Sequence, residues 1–336
     1  MFARWRKLST DVPGSFLATL ALAGGFLAFV GWDQSHWWRV KLDYSFGWIV
    51  PLFVIFVIHD RWPKILAALV ACAAPASPRA RHFKLWLLWL LVGGGLLLGV
   101  GFFLLGAFYR AGAGTSQPGT LAITMGMIGI VLPLLFISAP ESPTAATAGF
   151  FADARVQLIT HFMFPVFVWL ISAPLVSALE SQLNLALLRY VVSLVAFIFD
   201  LLGLPIEQQG NVLAWPRGHV GVADACSGIR SLTGCLFSGA FLAAVYLDRA
   251  WQKISLFVAA VLLAFGANLA RSLFLTAWAY AYESRAIEGV VHDLAGYAVL
   301  ALTIAGLLGL IPLLKRARAP RLRPTACTVD RVSNFG

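Results

Sequence analysis

The chain is poor in charge: only 12% of its 336 residues are Asp, Glu, Lys or Arg, whereas soluble domains carry about 25%. Apolar residues make up 60% of the chain. This balance excludes an ordinary soluble globular domain, a disordered chain and a collagen-like fibre. Uncharged runs such as residues 85–108 reach the length needed to cross a bilayer. The composition therefore predicts an all-α polytopic membrane protein.

Cysteine and acidic residues are also scarce. The four cysteines (Cys72, Cys226, Cys235 and Cys327) are too few for a disulfide framework and lack the paired spacing of a metal site, so we expect neither a metal nor a cofactor. Asp and Glu number 15 against 25 Lys and Arg, which gives a net charge of +10. In a membrane protein such an excess marks cytoplasmic loops rather than a nucleic-acid site.

The membrane topology follows from the positions of the basic residues. Arg4, Arg6 and Lys7 precede the apolar residues 13–32. This run is long for a signal peptide and lacks a clear cleavage site, so it predicts a first transmembrane helix whose basic end is cytoplasmic. Seven further spans are predicted at residues 46–58, 85–108, 121–138, 156–176, 229–247, 254–271 and 292–314. The basic residues that follow put the C-terminus in the cytoplasm too, which agrees with about eight spans.

Two apolar stretches do not fit a simple crossing. Residues 65–74 are too few to span, and basic residues flank them, which indicates an interfacial or re-entrant piece on the cytoplasmic side. Residues 183–204 contain Arg189 and Asp200, both costly at the middle of a bilayer. We therefore expect a helix that lies at the outer interface instead of crossing. The Gly- and Pro-containing lead-in after it predicts a turn and short strands outside the bilayer.

Three polar residues fall at one depth of this topology. The 18 residues from Lys253 to Arg271 rise about 27 Å, close to the roughly 30 Å of the hydrocarbon core, so Arg271 is expected near the outer boundary. The same count from the cytoplasmic charges brings Cys226 and His292 to that level. A thiol, a cation and an imidazole at one depth are what a thiol active site requires.

Each of these residues has a chemical role in such a site. Cys226 lies just before an apolar helix, and a helix N-terminus or a cation stabilises a nucleophilic thiolate. His292 can accept the thiol proton and return it to a leaving amine. Arg271 stays protonated and can hold an oxyanion or the thiolate, with Asn268 on the same helix face. The ordinary alternatives are a small apolar filler, an arginine that snorkels and an interfacial histidine.

Three sequence blocks carry a resemblance to a known family. They read VADACSGIRSL (222–232), GANLARSLFL (266–275) and HDLAGYAVL (292–300). In this order they resemble the exosortase/archaeosortase family of membrane thiol transpeptidases. The resemblance covers about residues 183–314, including the lead-in before the cysteine. It divides the chain into N-terminal transmembrane helices (1–182), an exosortase-like core (183–314) and a basic cytoplasmic tail (315–336).

The resemblance implies a multi-pass inner-membrane protein with Cys226, Arg271 and His292 as catalytic residues on the extracytoplasmic face. Its substrates would be exported proteins whose C-terminal sorting signal has a short motif (often Pro-Glu-Pro), a transmembrane helix and a basic cluster. Cleavage would pass through a thioacyl intermediate. Four neighbouring residues are expected to support these groups or to contact substrate: Ser227, Gly228, Arg230 and Asn268.

Two other classes of function remain open from the sequence. Many spans and intramembrane arginines also suit a transporter or channel, although the chain shows neither an inverted repeat nor paired broken helices. A non-catalytic component of an exopolysaccharide export system is the other alternative.

Overall fold

The structure is a computed structural model that describes residues 12–73, 83–140, 154–216, 218–221, 228–282, 287 and 289–317. Its α-helices, in chain order, are α1 (Gly14–Val40), α2 (Val50–Ala73), α3 (Phe83–Ala113), α4 (Gln117–Ser138), α5 (Ala154–Ser172), α6 (Ser177–Leu201), α7 (Gly228–Tyr246), α8 (Ala250–Tyr282) and α9 (Val290–Arg316). A 3₁₀ helix (Leu42–Ile49) joins α1 to α2, and the strands β1 (Glu207–Gln209), β2 (Val212–Trp215) and β3 (Gly218–Gly221) lie between α6 and α7.

The described helices confirm an all-α polytopic membrane protein. Eight helical segments in the described part of the chain are long and apolar enough to cross a membrane: α1, α2 with its 3₁₀ extension, α3 to α6, α8 and α9. The 19 residues of α7 rise about 28 Å, close to the hydrocarbon thickness. The sequence prediction counted α7 among its eight spans and left α6 out, whereas both segments form helices of near-spanning length.

Helix α2 corrects one sequence prediction. Residues 46–58 and 65–74 were expected to be separated by a charged cytoplasmic loop, but Val50–Ala73 is one continuous helix. The charge at Arg61 does not interrupt it, because the guanidinium is buried and donates to two backbone carbonyls. Ile65 and Leu69 are also buried in the N-terminal core, so this stretch is not a separate interfacial piece.

Helix α8 is longer than predicted. It was expected to end near Arg271 but continues to Tyr282, which adds about 16 Å. The extension remains helical because its inner face is apolar: Leu275 and Ala279 are buried against α6 and the sheet. Arg271 therefore lies within a helix and not at its tip.

The bundle has two ends, which we name after two residues of α8. At the Lys253 end, the first turn of α8 is hydrogen-bonded to the last turn of α9. We call the opposite end the Arg271 end. There, Thr233 Oγ1 near the start of α7 donates to the Asp43 carbonyl at 3.1 Å. Helices α7, α8 and α9 therefore alternate in direction, and α7 and α9 both begin at the Arg271 end.

Helix α6 contacts the Arg271 end at both of its own ends. Near its start, Glu180 pairs with Lys41 at 2.5 Å and accepts a hydrogen bond from Gln117 at 3.0 Å. Near its end, the Phe199 ring lies 6.2 Å from that of Tyr280. A crossing helix would reach the Lys253 end instead, since 25 residues rise about 37 Å. These contacts favour a helix that lies along the Arg271 end, in agreement with the expectation for residues 183–204.

Close packing and buried hydrogen bonds hold the N-terminal helices together. A Cβ added to Gly129 of α4 would lie 2.6 Å from the Gly99 Cα of α3, so these two backbones touch where only glycine fits. The Gln34 side chain donates from Nε2 to Thr124 Oγ1, and its Oε1 accepts a hydrogen bond from Ser172 Oγ, both at 2.8 Å. These bonds satisfy polar groups that would otherwise be costly inside a membrane.

The predicted lead-in strands form a small antiparallel sheet in the order β1-β2-β3. Gly210, with φ +65°, makes the turn between β1 and β2. Leu213 pairs with Val220 across β2 and β3, and both are buried in the cluster that includes Leu275 of α8. The sheet is thereby fixed to the part of α8 beyond Arg271.

Candidate active site at the Arg271 end

Arg271 and His292 are in direct contact. Arg271 Nη2 lies 2.8 Å from His292 Nε2 and 3.5 Å from the His292 carbonyl oxygen. An arginine side chain has N–H donors and no acceptor, so Nη2 donates and Nε2 accepts. This contact requires a neutral imidazole whose proton is on Nδ1.

The start of α9 brings His292 to this place. Gly289 precedes the helix with φ +66°, a conformation that favours glycine. Helix α9 begins at the next residue, so His292 lies in its first turn, where it contacts Arg271 of α8. The sequence predicts that Arg271 and His292 lie at one depth, and in the structure their side chains are in contact.

Gly296 provides the space for the guanidinium. It lies one turn after His292, and a Cβ built on it would be 3.6 Å from Arg271 Nη2. That is an ordinary van der Waals distance, so alanine fits but a larger side chain has no free volume on this side. In the sequence this glycine stands out only as the Gly four residues after His292, and the geometry shows why a small residue is suited to that position.

Asn268 and Arg271 each carry a buried polar atom that makes no hydrogen bond within the described structure. These atoms are Asn268 Oδ1 and Arg271 Nε. Asn268 is 6% exposed and lies three residues before Arg271, on the same face of α8. An unsatisfied buried donor or acceptor costs about 1–3 kcal/mol, so the pair is suited to a ligand that offers one acceptor and one donor.

The predicted nucleophile falls outside the described residues. Besides Cys226, the predicted site residue Ser227 and the side chain of Arg230 lie outside the described part of the chain. Gly228 is the first residue of α7, at the Arg271 end, and α7 packs against both α8 and α9. The structure therefore brings together Arg271, His292 and Asn268, and it brings the start of α7 to the same end of the bundle.

Sequence reasoning missed two ion pairs near this end. Asp33 of α1 is buried and paired with Arg110, whose guanidinium also lies 4.7 Å from the Trp32 ring centroid. Lys41 pairs with Glu180, as described above. The available signal was the acidic residue inside an apolar helix, which requires a partner. Among the described residues, no three His, Cys, Asp or Glu side chains come together as a metal site.

Comparison with known protein families identifies one family. The family described as transmembrane exosortase (Exosortase_EpsH) matches residues 37–309, which is most of the chain. The chain belongs to the transmembrane exosortase family. In this exosortase the match begins far before residue 183, so it includes N-terminal helices that the sequence blocks did not cover. No curated protein and no solved structure matches the chain significantly.

Proposed function

We propose that this exosortase is a membrane-embedded cysteine protease or transpeptidase that cleaves C-terminal sorting signals of exported proteins through a thioacyl intermediate. The signal consists of a short motif, a transmembrane helix and a basic cluster. The observation that carries the proposal is the contact between Arg271 and His292 in a member of this family. An arginine and a histidine held 2.8 Å apart, at the same end of the bundle as the start of the helix that follows Cys226, supply the two groups that a thiol nucleophile needs.

The reaction begins with proton transfer from the Cys226 thiol to His292. Since Arg271 donates to the Nε2 lone pair, that bond has to open before Nε2 can accept the proton. The thiolate then attacks the carbonyl carbon of the scissile peptide. The tetrahedral intermediate collapses, the leaving amine takes the proton from His292, and a thioester remains on Cys226. Water or an amine then attacks the thioester and releases the thiol.

Arg271 stabilises the negative oxygen of the intermediate. Its Nη2 is engaged with His292, but its Nε has no hydrogen-bond partner among the described residues and can donate to an oxyanion at once. Asn268 Oδ1, also unpartnered there, can accept a backbone N–H of the substrate. One donor and one acceptor side by side are complementary to a peptide group, which is the class of bond that this site would cleave.

The active site faces the extracytoplasmic side of the plasma membrane, and both termini are cytoplasmic. The distribution of charge supports this orientation, because cytoplasmic ends of membrane helices are enriched in Lys and Arg. Described basic residues at the Lys253 end are Arg61, Lys64, Arg155, Arg249, Lys253, Lys315 and Arg316, against the acids Asp60 and Asp248. Towards the other end, the acids Asp33, Asp43, Glu180, Asp200, Glu207 and Asp293 are matched by a similar number of described cations, namely Arg39, Lys41, Arg110, Arg189 and Arg271.

This orientation also suits the substrate. A substrate helix with its basic cluster anchored in the cytoplasm presents the preceding motif at the opposite surface, level with Arg271 and His292. The partners are therefore membrane-anchored proteins and the bilayer itself, and no cofactor is needed for this chemistry.

The test is a time course of precursor and product for a tagged substrate in membranes that carry each variant at matched abundance. Wild type should convert the precursor, whereas Cys226→Ala should leave it intact. The matched control is Cys235→Ala, because Cys235 is a buried cysteine in α7, the helix that follows Cys226, and should not be needed for processing. Conversion by Cys226→Ala at the wild-type rate would eliminate the thiol mechanism.

A further inference from the structure

A second cluster of charge lies at the Lys253 end, far from the candidate active site. Its cations are Arg61 and Lys64 of α2 and Lys253 of α8, and we call these three residues the Arg61 cluster. Lys253 is within electrostatic range of both other cations and of Asp248. His161 of α5 is within range of all three cations. The cluster thus lies where α2, α5 and α8 meet the end of α7.

The Arg61 guanidinium donates hydrogen bonds to two backbone carbonyls that have no partner within their own helices. Nη1 donates to the His161 carbonyl at 2.9 Å and Nη2 donates to the Ala244 carbonyl at 2.7 Å. The first carbonyl lacks a helical partner because Pro165, four residues later, has no N–H. The second belongs to the last turn of α7, where carbonyls have no intrahelical donor. Neutral carbonyls satisfy these N–H groups but do not neutralise the charge.

Two exposed acids near Arg61, Asp60 and Asp248, balance the charge of the cluster only in part. In the described part of the chain, neither Arg61 nor Lys253 has a carboxylate within ion-pair distance. Asp248 pairs with Lys64 at 3.7 Å, but its side chain is 92% exposed, so water screens its effect on the buried Arg61. Arg61 is 6% exposed and Lys253 is half-buried. Lys64 lies at the exposed rim, with 61% of its side chain accessible to solvent. Arg61 and Lys253 hold their charge away from bulk water, and this favours an anionic partner because burying unpaired charge is costly.

Exposed apolar residues continue from the cluster towards the middle of the membrane. Phe56 lies two turns before Lys64 on the same face of α2 and is 50% exposed. Phe257 lies one turn after Lys253 on the same face of α8 and is 39% exposed. A ligand with an anionic head and apolar chains matches this combination, whereas free phosphate would leave the apolar surface uncovered.

We propose that the Arg61 cluster binds the phosphate headgroup of an anionic phospholipid whose acyl chains lie along α2 and α8 beside Phe56 and Phe257. Lys64 and Lys253 contact the phosphate from the rim, and Arg61 contributes charge from below while it holds α5 and α7. The lipid thereby joins helices from both halves of the protein. This site does not depend on the proposed enzymatic function.

The experiment measures lipid retention by native mass spectrometry. The purified full-length chain in neutral detergent is titrated with dioleoylphosphatidylglycerol or with dioleoylphosphatidylcholine. Wild type should retain one phosphatidylglycerol and release phosphatidylcholine. The double variant Lys64→Gln, Lys253→Gln should bind phosphatidylglycerol about thirtyfold more weakly, because each cation near a headgroup contributes a factor of about five. Arg61 is left unchanged because its loss would disturb helix packing.

Two controls separate a built site from general attraction. Lys64→Arg with Lys253→Arg should retain the lipid, since charge is preserved. Arg316→Gln, an exposed cation at the same end, should also retain it. Equal retention by wild type and the glutamine variant would overturn the proposal. Displacement of the lipid by millimolar inorganic phosphate would also overturn it, because the apolar contacts would then contribute nothing.

Discussion

Gly296 provides a test of the Arg271 geometry that leaves every proposed catalytic residue in place. Replacing it with alanine should be nearly silent, because the new Cβ would lie 3.6 Å from Arg271 Nη2, at a normal contact distance. Replacing it with valine adds two methyl groups about 1.5 Å beyond Cβ. At least one of these methyl groups would overlap with the Arg271 guanidinium, which would then have to move by about 1 Å.

The size of the effect follows from that displacement. A misplacement of about 1 Å in a catalytic group can reduce the rate by about a hundredfold. We therefore expect Gly296→Val to process substrate about a hundredfold more slowly than wild type, and Gly296→Ala to remain close to it. The helix itself should not suffer, because valine is a better helix former than glycine.

The assay is the time course of precursor and product in membranes, with the abundance of each variant measured by its tag. Gly309→Val is the matched control, since it lies on the same helix and a Cβ there would meet nothing within 4 Å. It should process at the wild-type rate. A Gly296→Val protein with normal abundance and normal rate would refute the idea that Arg271 must occupy this position.

Three further predictions concern the proposed site residues and the topology. The Arg271→Lys protein should insert normally but process substrate at least about a hundredfold more slowly, because lysine lacks the planar fork of donors of a guanidinium. If Arg271 only reaches towards the membrane surface, lysine would do the same and the processing rate would stay near normal. His292→Ala should be similarly slow, while His292→Arg should keep part of the rate because the resemblance to the exosortase/archaeosortase family implies either His or Arg at this position. An alanine variant as fast as wild type would remove the acid–base role. A membrane-impermeant thiol reagent should label Cys226 but not Cys327 on intact spheroplasts, and the reverse pattern would invert the topology.

Hydropathy was sufficient to predict most of the fold, because a membrane helix must be apolar over its whole length. The lead-in strands were also predictable from their turn residues. The break expected after residue 58 was wrong because the sequence does not show that Pro165 and the end of α7 provide carbonyls for Arg61. The length of α8 was underestimated because its extension is buried against α6 and the sheet, which are contacts that a sequence pattern cannot display.

The candidate site was predictable in part. Counting residues from the basic loops correctly brought Arg271 and His292 to one level, since helix rise is nearly constant. The same count could not show that Arg271 donates a hydrogen bond to His292 Nε2, or that Gly296 leaves space for the Arg271 guanidinium. Both features depend on which faces of α8 and α9 are turned towards each other. The role of Cys226 stays a prediction, since that residue lies outside the described structure.

The most direct test of the proposed chemistry is to trap the acyl-enzyme. Purified wild type is incubated with a tagged substrate, quenched with acid and digested, and the modified peptide is sequenced by mass spectrometry. We predict a hydroxylamine-sensitive thioester on Cys226 that carries the N-terminal part of the substrate, with no such adduct in Cys226→Ala. A substrate adduct on a different residue, with Cys226 unmodified, would contradict the central claim that Cys226 is the nucleophile served by Arg271 and His292.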